Sequence, residues 1–321
     1  MNLQGGFNTE LSPDAAHTAI DGVMWEEFTR LQQPDNLSSD DAWFFKQGNT
    51  VGNAFIVDAD SGVGEFDETN ELEDINSTDV WVGNQKIRIS RKFTKQIPIS
   101  AEAFRADNVG KREQIGRAVG QKARQTKDSN AILRTYGDAF AGTYDTCDDG
   151  VALASNSHTT LRGATVDNLE TGALTPANLW IGVNTLGQQK GQDGFLGGHR
   201  LEGMVVPMYN YKTAIEVLDS DQRAQTAEND INIFKTKYGD VRVKSSVFLN
   251  STYNTDKTYN NATYHLLGSN HQISRKVFYG LNSEMVEPKY SSNDAWNLRW
   301  SYNEMAYPGS WTAYVGSNGT T

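Results

Sequence analysis

The sequence predicts an α+β protein in which one strand leads into one long helix and the chain closes with further strands. Three observations carry this prediction. Residues 84–99 place Ile87 and Ile89 on one face of a period-two pattern, which is typical of a half-buried strand. Residues 111–136 contain no proline, are rich in Lys, Arg, Gln and Glu, and repeat apolar residues at spacings of three and four. Short apolar runs separated by turn residues fill 263–315 and predict a β-rich end.

Composition limits the class of protein. The chain has 321 residues, enough for one large or two small domains, and its formal net charge of -11 argues against a dedicated nucleic-acid binder. A single cysteine, Cys147, excludes an intramolecular disulfide. The first 20 residues lack the basic head and apolar core of a secretory signal, and no apolar run approaches about 18 residues. We therefore expect neither a signal nor a membrane span.

The first predicted element is an N-terminal arm, residues 1–46. Within it, residues 18–28 have the apolar spacing of a short helix. Trp25 and Phe28 belong to more apolar surface than such an arm can bury by itself. Two interpretations are open: the arm packs on its own domain, or it lies on a neighbouring copy.

The next stretch predicts a long hairpin whose two arms carry opposite charge. Residues 47–82 carry acidic side chains and no Lys or Arg, whereas residues 83–95 are basic and contain no acid. The hairpin is either an ordinary solvated ribbon or a loop that docks on another subunit through charge complementarity. We favour docking, because a two-stranded ribbon is marginal alone. The candidate contact residues of the arm and hairpin are Trp25, Phe28, Glu65, Asp67, Glu68, Glu71, Lys86, Arg88, Arg91 and Lys92.

Turn and cap signals place the later elements. Ser100 stands at a helix N-cap position after the predicted strand, and residues 175–186 begin with Thr-Pro, which is typical of a helix start. Residues 230–238 and 241–249 predict a pair of strands, with Gly-Asp at the turn between them.

Chemistry-bearing motifs are sparse. Cys147 and His158 could form a nucleophile–base pair, so a hydrolase is one alternative function, although no glycine loop of the oxyanion type and no orienting partner is visible. A β-rich carbohydrate-binding module is another alternative, suggested by the aromatic and Asn/Thr-rich last third of the chain. Residues 58–62 match only a fragment of a calcium loop. We predict no catalytic site, no cofactor and no metal.

The order of these parts resembles one known family. The passages that carry the resemblance are Ile-Pro-Ile-Ser-Ala-Glu-Ala-Phe at 97–104, Asp-Gly-Val-Ala-Leu-Ala-Ser-Asn-Ser-His at 149–158 and Leu-Thr-Pro-Ala-Asn-Leu at 174–179. With the arm, the charged hairpin and the long helix, they resemble the major capsid protein of tailed bacteriophages, which has the HK97-type fold. The Mu-like major head subunit is the most similar branch. The resemblance covers the chain from about Gly62 onward.

The resemblance implies a domain plan. Residues 1–46 would be the N-arm, 47–98 the extended β-hairpin loop, and 99–198 the peripheral domain with its spine helix at about 111–140. Residues 199–285 would be the axial domain, and 286–321 would return to the peripheral domain.

The resemblance also implies function and partners. Copies of the chain would form the hexamers and pentamers of an icosahedral shell around packaged double-stranded DNA, with portal, scaffold and decoration proteins as further partners. The shell would be assembled in the host cytoplasm, without a membrane and without a covalent crosslink. A basic stretch of the long helix either is a solvated face or lines the lumen, in weak non-specific contact with DNA. Its residues are Lys111, Arg112, Arg117, Lys122 and Arg124.

Overall fold

Two β-sheets and one long helix organise the fold. The structure is a computed structural model that describes residues 13–30, 35–58, 83–100, 110–221, 231–250, 261–287 and 295–319. The helices are α1 (Pro13–Arg30), α2 (Lys111–Arg134), α3 (Pro176–Gln188), α4 (Tyr211–Asp219) and α5 (Ile233–Tyr238). The strands are β1 (Lys46–Asn49), β2 (Ala54–Asp58), β3 (Gln85–Ile89), β4 (Arg91–Ser100), β5 (His158–Thr159), β6 (Thr165–Val166), β7 (Leu169–Glu170), β8 (Leu201–Pro207), β9 (Arg242–Ser246), β10 (Tyr264–Gly268), β11 (Ile273–Val286), β12 (Ala295–Pro308) and β13 (Tyr314–Ser317).

The first sheet has four strands in the order β1-β11-β12-β4. Strands β11 and β12 are 14 residues each and pair antiparallel, so they form a ribbon of roughly 45 Å at about 3.3 Å per residue. The short β1 pairs parallel with β11, and β4 pairs antiparallel with β12. The second half of the predicted basic strand, β4, is therefore part of this sheet.

The second sheet has five strands in the order β7-β13-β10-β8-β9. Helices α3 and α4 pack on it through a core that includes Leu179, Leu186 and Leu266. A larger core, centred on Tyr136, Trp311 and other buried residues, lies where the end of α2 meets both sheets. Helices and strands are mixed in this way throughout the described residues, which confirms the predicted α+β class.

Helix α2 is the long helix that the sequence predicts. It runs from Lys111 to Arg134 and ends short of the predicted residue 140, because the chain turns after Thr135. The turn buries Tyr136, whose hydroxyl donates to the carbonyl of Phe44 over 3.0 Å. Ser100 is the last residue of β4, and the segment in which it would cap a helix, 101–109, lies outside the described residues.

Two glycines on α2 let α1 approach closely. A Cβ atom at Gly116 would lie 2.7 Å from the carbonyl oxygen of Ile20, and one at Gly120 would overlap the carbonyl of Met24. Ile20 and Met24 are buried against the helix and the four-stranded sheet, in a third core that contains Trp300. The buried face of α1 thus packs on its own chain, as the first of the two interpretations of the arm has it.

The helix predicted over 175–186 is confirmed as α3. The Thr175 hydroxyl accepts a hydrogen bond from the backbone N–H of Asn178 over 3.2 Å, and proline occupies the first helical position.

The strand pair predicted over 230–249 is wrong in its first half. Residues 233–238 form helix α5, because Asn232 caps it by accepting from the N–H of Phe234 over 3.0 Å. Phe234 and Tyr238 are buried four residues apart, which is helical spacing. The second half, β9, pairs parallel with β8.

Candidate inter-subunit surface

Strands β2 and β3 form a two-stranded antiparallel ribbon that belongs to neither sheet. Ile56 pairs with Ile87, and Ala54 pairs with Ile89. These three isoleucines lie on the same face of the ribbon, since paired residues in a ladder point to the same side. We call this surface the ribbon face.

The ribbon face is turned to solvent. Ile56, Ile87 and Ile89 are 61%, 70% and 59% exposed. Ile87 and Ile89 share one face of the strand, as the sequence predicts, but that apolar face is the exposed one. The inward side carries Arg88, which is only 2% exposed.

Arg88 is buried because the body of the protein offers acceptors to both terminal nitrogens of its guanidinium. Its guanidinium forms an ion pair with Asp145, donates to the carbonyl of Pro308 over 2.7 Å, and donates to the carbonyl of Thr146 over 3.2 Å. It also lies 4.4 Å above the ring of Tyr307. Burial lowers the pKa of Arg88 to about 10, so the side chain stays charged at neutral pH.

Lys86 completes the anchor. Its ammonium group lies 3.0 Å from the Asp145 carboxylate, 2.8 Å from the carbonyl of Thr146 and 2.6 Å from the hydroxyl of the same threonine. Lys86 and Arg88 therefore bind their own chain, and the contact with a neighbouring subunit stays a prediction for both. We call Lys86, Arg88 and Asp145 the ribbon clamp.

Asp138 fixes the loop that carries the clamp's carboxylate. Its side chain accepts from the backbone N–H groups of Thr143 and Asp145 over 2.9 and 3.2 Å. A carboxylate that accepts several backbone N–H groups holds a loop firmly. The sequence shows an acidic loop here but not its partners, and only the structure joins it to the ribbon.

The other predicted contact residues divide into three groups. Arg91 and Lys92 are exposed on β4, and Trp25 is exposed on α1, so all three can reach another molecule. Phe28 is half-buried, and the cationic groups of Arg124 and Lys127 lie 5.5 and 5.4 Å from its ring. The remaining four, Glu65, Asp67, Glu68 and Glu71, lie outside the described residues.

The predicted basic face of α2 is smaller in the structure. Arg124 is buried, with ion pairs to Asp128 at 2.7 Å and Asp40 at 2.8 Å, so it ties the arm to α2 and cannot line a lumen. Arg117 is exposed and pairs with Glu113 over 2.6 Å. Lys122 is also exposed. The side chains of Lys111 and Arg112 lie outside the described residues.

The pair proposed for a hydrolase is not arranged for catalysis. His158 is fully buried, with Nδ1 2.7 Å from the Asp149 carboxylate and Nε2 3.3 Å from the carbonyl of Leu153. Both ring nitrogens are thus engaged away from Cys147. Burial, and next the nearby Asp149, raises the pKa of the Cys147 thiol well above its usual range, which disfavours a thiolate nucleophile.

Three large aromatic residues of the last third are unavailable for stacking on a sugar. Trp300, Trp311 and Tyr314 are buried in the cores. Across the described residues no group of His, Cys, Asp and Glu is placed to hold a metal ion. In the same part of the chain, no helix is long and apolar enough to cross a membrane.

The architecture defines a class of fold. The chain combines a long helix beside a four-stranded sheet, a second sheet with its own helices, and a separate two-stranded ribbon. It has the HK97-type capsid fold. No protein-family model matches the sequence, and no curated protein matches it.

Solved structures support the fold assignment. The chain is similar to a capsid protein of the cyanophage P-SCSP1u, with TM-score 0.54 and 12% identity over 90% of both chains. It is similar to the capsid protein of a native gene transfer agent (GTA) particle, with TM-score 0.53 and 10% identity over 90% of this chain and 95% of that one. The capsid protein of the myovirus XM1 gives TM-score 0.52 and 11% identity over 90% and 94% of the two chains.

Proposed function

We propose that this chain is a major capsid protein, which self-assembles into the hexamers and pentamers of an icosahedral shell around double-stranded DNA. The observation that carries the proposal is the ribbon face, an apolar surface on a ribbon that is clamped to the body. The likeness of the fold to phage capsids supports it.

The energetics of the ribbon favour a partner. A two-stranded ribbon is marginal in water, and here its apolar side is outside. Covering three isoleucines that are each more than half exposed is worth about 1–2 kcal/mol apiece. The ribbon clamp fixes the direction in which the face points, so a second copy meets a preorganised surface.

Finer features of the proposal come from the resemblance. They are the Mu-like branch, the N-arm at 1–46, the extended loop at 47–98, the peripheral domain at 99–198, the axial domain at 199–285 and the return at 286–321. Portal, scaffold and decoration proteins would be partners in a virion assembled in the host cytoplasm. Arg117 and Lys122 keep exposed positive charge for weak contact with DNA.

The test is assembly of the expressed full chain, followed by mass photometry and negative-stain microscopy. We expect closed shells or rings of five and six, and a 35.5 kDa monomer at high concentration would contradict the proposal. Ile87→Lys places a charge in the ribbon face, and we expect it to leave a folded subunit that does not assemble.

Ile181→Lys is the matched control, since Ile181 is 51% exposed on α3, away from the ribbon. Both variants should keep the thermal midpoint of the unassembled parent chain. Normal shells from Ile87→Lys would show that the ribbon face is not the surface that joins the copies.

A further inference from the structure

A groove runs between α2 and the four-stranded sheet. It has a volume of 420 Å³, within the range of about 300–1,000 Å³ that is usual for small-molecule sites. Its floor is formed by Ile97, Leu281 and Trp300 from three neighbouring strands, and Val119 of α2 forms part of its wall. The groove separates the helix from the sheet at a place where the small side chains of α2 do not fill the gap.

Two buried hydrogen-bond donors line this groove without a partner. Trp300 is 2% exposed and Tyr302 is 8% exposed, and among the described residues neither the indole Nε1 nor the phenol oxygen has a hydrogen-bond partner. Buried polar groups are nearly always paired in native proteins. An indole N–H can only donate, so the missing group must be an acceptor.

The charged side chains that line the groove are both basic, and the carboxylates of Glu304 and Asp128 lie behind them near Tyr302. Lys95 of β4 and Lys122 of α2 are exposed at its rim, and no acidic residue is among those that line it. Lys122 hydrogen-bonds the neutral Gln125 over 2.9 Å. The Thr126 hydroxyl donates to the carbonyl of Lys122 over 2.7 Å. The lining therefore offers positive charge and unpaired donors above an apolar floor.

We propose that this groove binds an anionic amphiphile, an unbranched aliphatic chain with a carboxylate headgroup. The aliphatic chain lies along the apolar floor, where burial removes its surface from water. The carboxylate supplies the acceptors that Trp300 and Tyr302 lack, and the two rim lysines compensate its charge. This site is separate from the ribbon face, so the inference does not depend on shell assembly.

The test is calorimetry of the unassembled full chain with sodium dodecanoate below its micelle concentration. Dodecyltrimethylammonium chloride, with the same chain length and the opposite charge, is the control ligand. We expect one dodecanoate per chain and an affinity at least about tenfold above that of the cation, as for a charge-assisted hydrogen bond. An absence of binding, or equal binding of the two headgroups, would overturn the proposal.

Four variants locate the site. Tyr302→Phe and Trp300→Phe each remove one donor and keep a ring, and we expect each to weaken dodecanoate binding by about tenfold. Ala123→Leu extends a side chain that lines the groove and should block binding. Trp180→Phe, on α3, is the control and should leave the affinity unchanged.

The thermal midpoint of each variant shows whether it is folded, and Tyr302→Phe is the mildest change if a larger one unfolds the chain. Unchanged affinity in both Tyr302→Phe and Ala123→Leu would place the ligand elsewhere and refute the assignment. A cryo-EM map of the shell with another copy's chain in the groove would also refute it, because the groove would then be an interface.

Discussion

The ribbon clamp gives the sharpest prediction, because its charges are buried and shared. Asp145 pairs with both Arg88 and Lys86, and the side chains of Arg88 and Asp145 are 1% and 9% exposed. Removing Asp145 leaves two cations without their counter-charge at the edge of the core. Removing Arg88 leaves Asp145 still paired with Lys86 at 3.0 Å.

These two losses differ in size. Breaking a buried ion pair by deleting one partner costs about 3–5 kcal/mol, so we expect that loss of unfolding free energy for Asp145→Ala. Arg88→Met keeps much of the apolar stem but strands two carbonyl acceptors, at a cost of about 1–3 kcal/mol. The double variant should lose less than the sum of the single losses, by about 1–3 kcal/mol, because the residues are in direct contact.

Urea unfolding of the unassembled subunit, followed by tryptophan fluorescence, measures the loss of unfolding free energy in each single variant and in the double variant. The parent background would be Ile87→Lys if the wild type assembles under these conditions. Additivity within about 0.5 kcal/mol would refute the clamp, since independent sites behave in that way. A lower cost for Asp145→Ala than for Arg88→Met would also contradict the reasoning.

Three further predictions concern the body of the protein. Gly120→Ala should lower the free energy of unfolding by about 1–3 kcal/mol, because its Cβ would meet the carbonyl of Met24. Gly22→Ala has nothing within 4 Å of its Cβ and should raise the free energy of unfolding by about 0.5–1 kcal/mol. Urea midpoints compare the two variants, and equal effects would contradict the close approach of the helices. Burial lowers the pKa of His265 to about 3, whereas the same histidine in the unfolded chain is protonated near pH 6.5. Because acid therefore favours the unfolded chain, the free energy of unfolding should fall by about 1.4 kcal/mol per pH unit between about pH 6.5 and pH 3. His265→Gln should show a shallower loss between pH 7 and pH 5, and an unchanged slope would refute the assignment. Cys147 should resist a thiol reagent in the native subunit and react on unfolding, and fast native labelling would show that its burial is wrong.

Local signals in the sequence were sufficient for some elements. The cap and the proline of α3 are adjacent in the chain, and the helical period of α2 is long enough to be unambiguous. Helix α5 was missed because it has only 6 residues, and its capping Asn232 was counted as part of a strand. A short apolar run fits the helical spacing of three and four residues as well as the alternation of a strand.

The candidate site depended on information that local patterns do not hold. The period of β3 is visible in the sequence, but the direction of its faces is set by Asp145, 57 residues away from Arg88. In the sequence Arg124 is one of several cations on a basic helix. In the structure it pairs with Asp40, which lies 84 residues earlier in the chain. The sequence shows which side chains are charged, but only the tertiary structure shows which of them form ion pairs within the same chain.

The C-terminal region of the fold has a consequence for timing. Strand β12 lies between β11 and β4, and β13 lies between β7 and β10, so the segment 295–317 supplies an inner strand to both sheets. In each case the flanking strands come earlier in the chain. During translation neither sheet can close until the ribosome has produced this segment, because each would have a gap at its centre. All three cores also take residues from this segment, among them Leu298, Trp311 and Val315, so the packing of the body is complete only once it is present.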